Sequence, residues 1–246
     1  MIDPVTLNLT GAGLLGLATL GFLWYAQRHS PTGRRYGYAA VVASGAMALS
    51  YLGMGIAHGA GFETDAIRFV GYTGLWTAIC LVVTGVAGAG RYLTSALLAI
   101  VLTRLWVTYA SWQLEGTIGT VLTLVPFVLL AAGIYLLFGP FMRAASRVSG
   151  ERRLLYTKLR NLIVLGWIAL VVTGMLGEAA ALTDDFISQL VAAYVEVIIV
   201  VGFGGIVLRS ADALTETAAS RPLLSLGSGS DADTLEADTE TQAESI

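Results

Sequence analysis

Apolar residues in this chain come in long blocks, without the short alternations of a soluble domain. A window of about 19 residues finds seven runs long enough to span ~30 Å of hydrocarbon at 1.5 Å per residue. They lie at about 7–27, 37–58, 67–89, 94–112, 118–139, 155–177 and 187–208. Each predicts a transmembrane helix, because a backbone crossing lipid has to satisfy its own hydrogen bonds. The fourth run is the weakest, since Arg104 interrupts it.

The connections between runs alternate in charge. "RHSPTGRRYG", "AGAGR" and "FMRAASRVSGERR" carry arginine, whereas "HGAGFETD", "QLEGT" and "GEAAALTDD" carry acids and no Arg or Lys. The positive-inside rule then expects the N-terminus outside and the C-terminus in the cytoplasm. Met1–Asp3 offers no basic n-region, so no cleavable signal peptide is expected and the first span serves as the insertion signal. Residues 1–212 read as one all-α, seven-helix membrane domain, multi-pass in the cell membrane. Residues 213–246, acidic, rich in Ser and Thr and without aromatics, read as a disordered cytoplasmic tail.

Composition agrees with that division. The 246 residues are 56% hydrophobic and only 13% charged, and the mean hydropathy of +0.74 lies far from a soluble average. Eight of the 17 acidic residues follow the last apolar run, so the net charge of −3 belongs mostly to the tail and the membrane part is basic on balance. Lys158 is the only lysine among 14 basic residues. Such an arginine bias beside an acidic tail fits either a salt-adapted proteome or a GC-rich genome. A lone Cys80 inside an apolar run rules out an intrachain disulfide or multi-cysteine metal site. His29 and His58 sit apart at the ends of runs, no metal site or catalytic constellation is expected, and nothing suggests a nucleic-acid partner.

A charge at mid-bilayer costs about 2.5–3.5 kcal/mol on insertion scales, so ionisable residues inside spans are functional candidates. Here they are Arg68, Arg104 and Glu196; Glu178 and Asp185 belong to the rim. Glu196 reads either as half of an ion pair or hydrogen bond that fixes packing, or as a proton-relay carboxylate, although no second deep acid is in line with it. Arg104, with Trp106 and Tyr109 nearby on its helix, is open to a buried partner, to snorkelling or to a protein contact. Small residues such as Gly45, Ala46, Ser50, Gly53 and Gly55 predict close helix approach.

Particular strings narrow the class. "GRRYGYAAVVASGAMALSYLGMG", "IRFVGY", "LLFGPF", "TKLRNLIVLGW" and "VVGFGGIVLRSADA", in this order, resemble the archaeal microbial rhodopsins of the bacteriorhodopsin and sensory rhodopsin branch, over nearly the whole chain to about Leu214. The resemblance implies a seven-helix bundle around retinal, bound as a Schiff base to a lysine in the seventh helix. The family's motif there is a carboxylate, a lysine four residues later, then Val-Gly-Phe-Gly. On this sequence Glu196 matches the carboxylate and Val200 the lysine, so a covalent retinal is excluded for want of the amine. Gly71 stands at the counterion position, and the pump's donor carboxylate falls among Leu81, Val82 and Val83. The resemblance marks Tyr51, Tyr72, Trp76, Trp167, Leu170, Gly174 and Val200 as a vestigial pocket, and it suggests an Arg68–Glu196 pair.

These readings imply a lysine-free, opsin-like member that is not an enzyme. The expected role is a non-pumping interaction or regulatory protein, working with a membrane-protein partner or in a homo- or hetero-oligomer within the bilayer. One alternative is a photoreceptor-like protein that binds retinal or a carotenoid noncovalently; a second is residual ion transport.

Overall fold

The computed structural model describes residues 3–28, 31–175 and 185–220. Its long helices are α1 (Pro4–Gln27), α2 (Pro31–Gly59), α3 (Asp65–Val86), α4 (Arg91–Gln113), α5 (Gly116–Phe138), α7 (Gly150–Gly174) and α8 (Asp185–Leu208). Each is long and apolar enough to cross a membrane, in agreement with the seven predicted spans. Between them lies the short α6 (Pro140–Ala145), and α9 (Ala211–Ser220) follows the last span.

Helix ends follow local chemistry. Pro140 cannot donate a backbone hydrogen bond, and it opens α6 directly after Gly139 ends α5. The Ser149 hydroxyl accepts from the Arg152 backbone N–H at 3.4 Å, so α7 starts at Gly150, several residues before the apolar run does. α3 ends at Val86, three residues short of the predicted limit, where Gly88 turns the chain at φ +67°.

The stretch assigned to a tail from residue 213 needs correcting. Residues 211–220 form α9, with Ala213, Leu214 and Thr217 buried against the bundle. Ser149 donates to the Glu216 carboxylate at 2.5 Å, and Arg152 of α7 donates to Ser220 at 2.9 Å. Arg152 also donates to the Gly85 and Val86 carbonyls, capping the end of α3. An amphipathic turn-forming segment thus finds partners that composition alone does not reveal. The remainder of that stretch, from 221, lies outside the described residues, as do His29, Glu178 and the side chain of Asp185.

Packing radiates from α3, which contacts α2, α4, α7 and α9. Lipid tails are as apolar as leucine, so what brings membrane helices together is close steric fit and interhelical hydrogen bonds. The small residues serve that fit. A Cβ added at Gly204 of α8 would sit 2.3 Å from the Phe22 ring of α1, and one at Gly55 of α2 would sit 2.8 Å from Leu9 of α1. One end of the bundle carries Arg28, Arg34, Arg35, Arg91, Arg143 and Arg209, and the other carries Glu63, Asp65 and Glu115.

Candidate functional site

α8 carries Glu196 and Val200 one turn apart, and both are fully buried. Each carboxylate oxygen of Glu196 accepts a hydrogen bond from a tyrosine: Oε2 from the Tyr51 hydroxyl of α2 at 2.6 Å, and Oε1 from the Tyr72 hydroxyl of α3. Charge-assisted bonds of this kind are the strong ones. The anticipated direct partner, Arg68, does not hold the carboxylate. It acts on Glu196 electrostatically at longer range, and its Nε makes no hydrogen bond. Tyr72 lies one turn further along α3 than Arg68, and it is this hydroxyl, with that of Tyr51, that meets the carboxylate.

Tyr51 reaches Glu196 across a tight seam. A Cβ at Gly11 of α1 would lie 2.7 Å from the Tyr51 ring, so glycine is what lets α1 close over it. Gly71 has a similar role between α2 and α3. An added Cβ would lie 2.4 Å from Ser50 Cβ and 2.6 Å from its Oγ, and that hydroxyl donates to the Ile67 carbonyl at 2.9 Å. Any side chain at 71 would therefore have to displace Ser50.

The indole rings of Trp76 (α3) and Trp167 (α7) lie 5.8 Å apart at 46°, and both belong to the continuous core that includes Val200. Of the seven predicted pocket residues, Tyr51, Trp167 and Val200 are packed into that core. Tyr72, Trp76, Leu170 and Gly174 line a cleft of about 270 Å³ between α3, α4, α5 and α7. Phe69, Thr108, Ser111, Trp112, Pro126 and Phe127 line it too. Arg104 is the charged residue in its wall. The Arg104 guanidinium carbon is 5.6 Å from the Trp167 ring centroid, and its buried Nε has no hydrogen-bond partner.

Sequence reasoning named Tyr72 and Trp76 but missed Phe69, Trp112 and Phe127 in the aromatic wall of this cleft. Phe69 is its hub, with ring centroids 5.2 Å from Tyr109, 5.3 Å from Trp112 and 5.8 Å from Tyr72. The signal was the three-residue spacing of Trp106, Tyr109 and Trp112 along α4, of which Trp112 reaches the cleft. The chain's only lysine, Lys158, is exposed on α7, away from this interior.

A profile of the bacteriorhodopsin-like protein family matches residues 5–214. The chain belongs to that family of microbial rhodopsins. It is 31% identical over 217 residues to sensory rhodopsin-2 of Haloarcula vallismortis, covering 82% of this chain and 87% of the relative. It is 29% identical over 223 residues to sensory rhodopsin-2 of Natronomonas pharaonis, covering 87% and 92%. Among solved structures, a cyanorhodopsin of the cyanobacterium Tolypothrix superposes with a TM-score of 0.80 at 17% identity, over 89% of this chain and 99% of that one. This microbial rhodopsin is therefore a multi-pass protein of the cell membrane, with sensory relatives by sequence and the rhodopsin bundle by fold.

Proposed function

We propose that this microbial rhodopsin forms no retinal Schiff base and works as a non-pumping interaction or regulatory protein in the membrane. One observation carries the reading: Val200, at the position matched to the family's lysine, is fully buried one turn from a carboxyl group held by two tyrosines, while the one lysine is exposed. An imine needs an amine within bonding distance of the aldehyde, and this interior offers none. The tyrosine clamp also leaves Glu196 without the open coordination of a relay group. With neither attachment nor relay, the bundle retains a scaffold whose helix surfaces are free to meet a second membrane protein or another copy. The arginine-rich end is placed in the cytoplasm by the positive-inside rule, with α9 on that side.

The test is spectroscopic. Protein expressed with all-trans retinal and purified should show no visible band that hydroxylamine bleaches, and vesicles containing it should show no light-driven proton flux. A bleachable band would sink the reading. Val200→Lys with Gly71→Asp should fail to restore a coloured adduct unless Ser50 is also cut back to glycine, because Ser50 occupies the space of the new side chain.

A second reading, noncovalent ligand binding, is favoured by the 270 Å³ cleft. An apolar cavity of ~150 Å³ already admits benzene, so this one has room for the end of an elongated molecule such as a retinal or carotenoid. A pigment held this way would extract into solvent without prior reduction.

A further inference from the structure

The second reading leaves the ligand's chemistry open, and Arg104 narrows it. α4 runs from Arg91 to Gln113, so Arg104 lies nine residues from its end, or ~14 Å at 1.5 Å per residue. That is close to the middle of ~30 Å of hydrocarbon. An arginine so deep normally has an acid or several carbonyls around it. Here its one neighbour of note is the face of Trp167, and among the described residues no acid is paired with it. Guanidinium is always charged and presents its donors as a planar fork suited to a carboxylate.

Around that cation the cleft is aromatic: Phe69, Tyr72, Trp76, Trp112 and Phe127 supply flat faces. Its rim is open, since Trp112 is 46% and Phe127 44% exposed, on helices that face lipid. The combination is a lone cation in the wall of a largely apolar, aromatic cleft whose rim is open.

We propose that this cleft binds a single-chain carboxylic acid. The carboxylate pairs with the Arg104 guanidinium, and the first part of the apolar chain lies along the Phe69–Trp112 wall. The remainder leaves over the rim into the hydrocarbon, as the volume requires. A carboxylate fits better than a phospholipid headgroup. The headgroup is tethered at the interface by two chains, whereas a carboxylic acid is readily neutralised and dissolves in hydrocarbon to reach mid-depth. This rests on the noncovalent reading above and adds the ligand's class.

The experiment uses the full chain in phosphatidylcholine nanodiscs, with cis-parinaric acid and the alcohol of the same chain as probes. Energy transfer from tryptophan to the polyene reports binding. The acid should bind saturably and about tenfold more tightly than the alcohol, as expected for a bond to a charged group. Arg104→Gln should erase that preference while leaving alcohol binding unchanged, and Arg104→Lys should restore part of it. Equal binding of acid and alcohol, or a preference that survives in Arg104→Gln, would overturn the proposal while leaving noncovalent binding intact. Binding of neither probe would overturn both. Displacement of the acid by dioleoyl phosphatidate at equal mole fraction, with oleic acid ineffective, would assign the cleft to an anionic lipid and overturn it as well.

Discussion

Glu196 and Arg104 are ionisable groups inside one bundle, and they are treated in opposite ways. Glu196 is fully enclosed, with a tyrosine hydroxyl on each oxygen and the field of Arg68 nearby. Arg104 borders a cleft, lies 5.6 Å from the centroid of one indole and leaves its Nε unbonded. A buried charge with all its partners strengthens the fold, whereas one without them weakens it. The difference teaches that burial alone does not define a site: one group ties three helices together through its hydrogen bonds, and the other is enclosed without such ties.

Substitutions separate the two, beginning with the largest effect. Glu196→Ala strands two buried hydroxyls and leaves Arg68 uncompensated, which should destabilise by about 3 kcal/mol or more. At 2–4 °C per kcal/mol for a chain of this length, the thermal midpoint in nanodiscs should fall by roughly 6 °C or more. Next, Gly71→Ala pushes a methyl into Ser50 and should cost about 1–3 kcal/mol, as overpacking does. Ser50→Gly in the same chain should recover most of that loss, which a double-mutant cycle by thermal melting would reveal. Tyr72→Phe removes one of the two hydroxyl bonds to the Glu196 side chain and should cost about 1 kcal/mol, near the range of interhelical bonds in membranes. The smallest effect belongs to Arg104→Leu: a midpoint unchanged or raised, because an unpartnered charge is replaced by a side chain that fits an apolar wall. If Arg104→Leu fell as far as Glu196→Ala, the contrast drawn between the two sites would be wrong.

Much of this was open to reading from the chain, and the exceptions have a common cause. All seven spans stand out because a backbone in lipid requires about twenty apolar residues, whatever the helix then touches. Which face of each span points inward is another matter. Lipid and core are both apolar, so the one-sided stripe that orients a soluble helix is missing. Glu196, Arg68 and Arg104 were identifiable as single deep charges, but the bond from Tyr51 crosses 145 positions and that from Tyr72 crosses 124. Pairings at that distance depend on how helices are arranged, which no local spacing encodes. The helical start of the C-terminal segment was hidden for a similar reason: Thr, Glu and Ser in α9 look solvent-bound until Ser149 and Arg152 supply their partners.

The contact between Gly71 and Ser50 bears on how such a protein changes over generations. On the proposed correspondence, regaining a chromophore needs an amine at 200 and an acid at 71. The amine alone must be fitted into a fully packed core position, and the acid alone collides with Ser50 of the neighbouring helix. Ser50 must shrink first, and that step by itself brings no benefit. On that correspondence each route begins with a neutral or harmful change, so the seam between α2 and α3 acts as a ratchet against installing such a site by single substitutions.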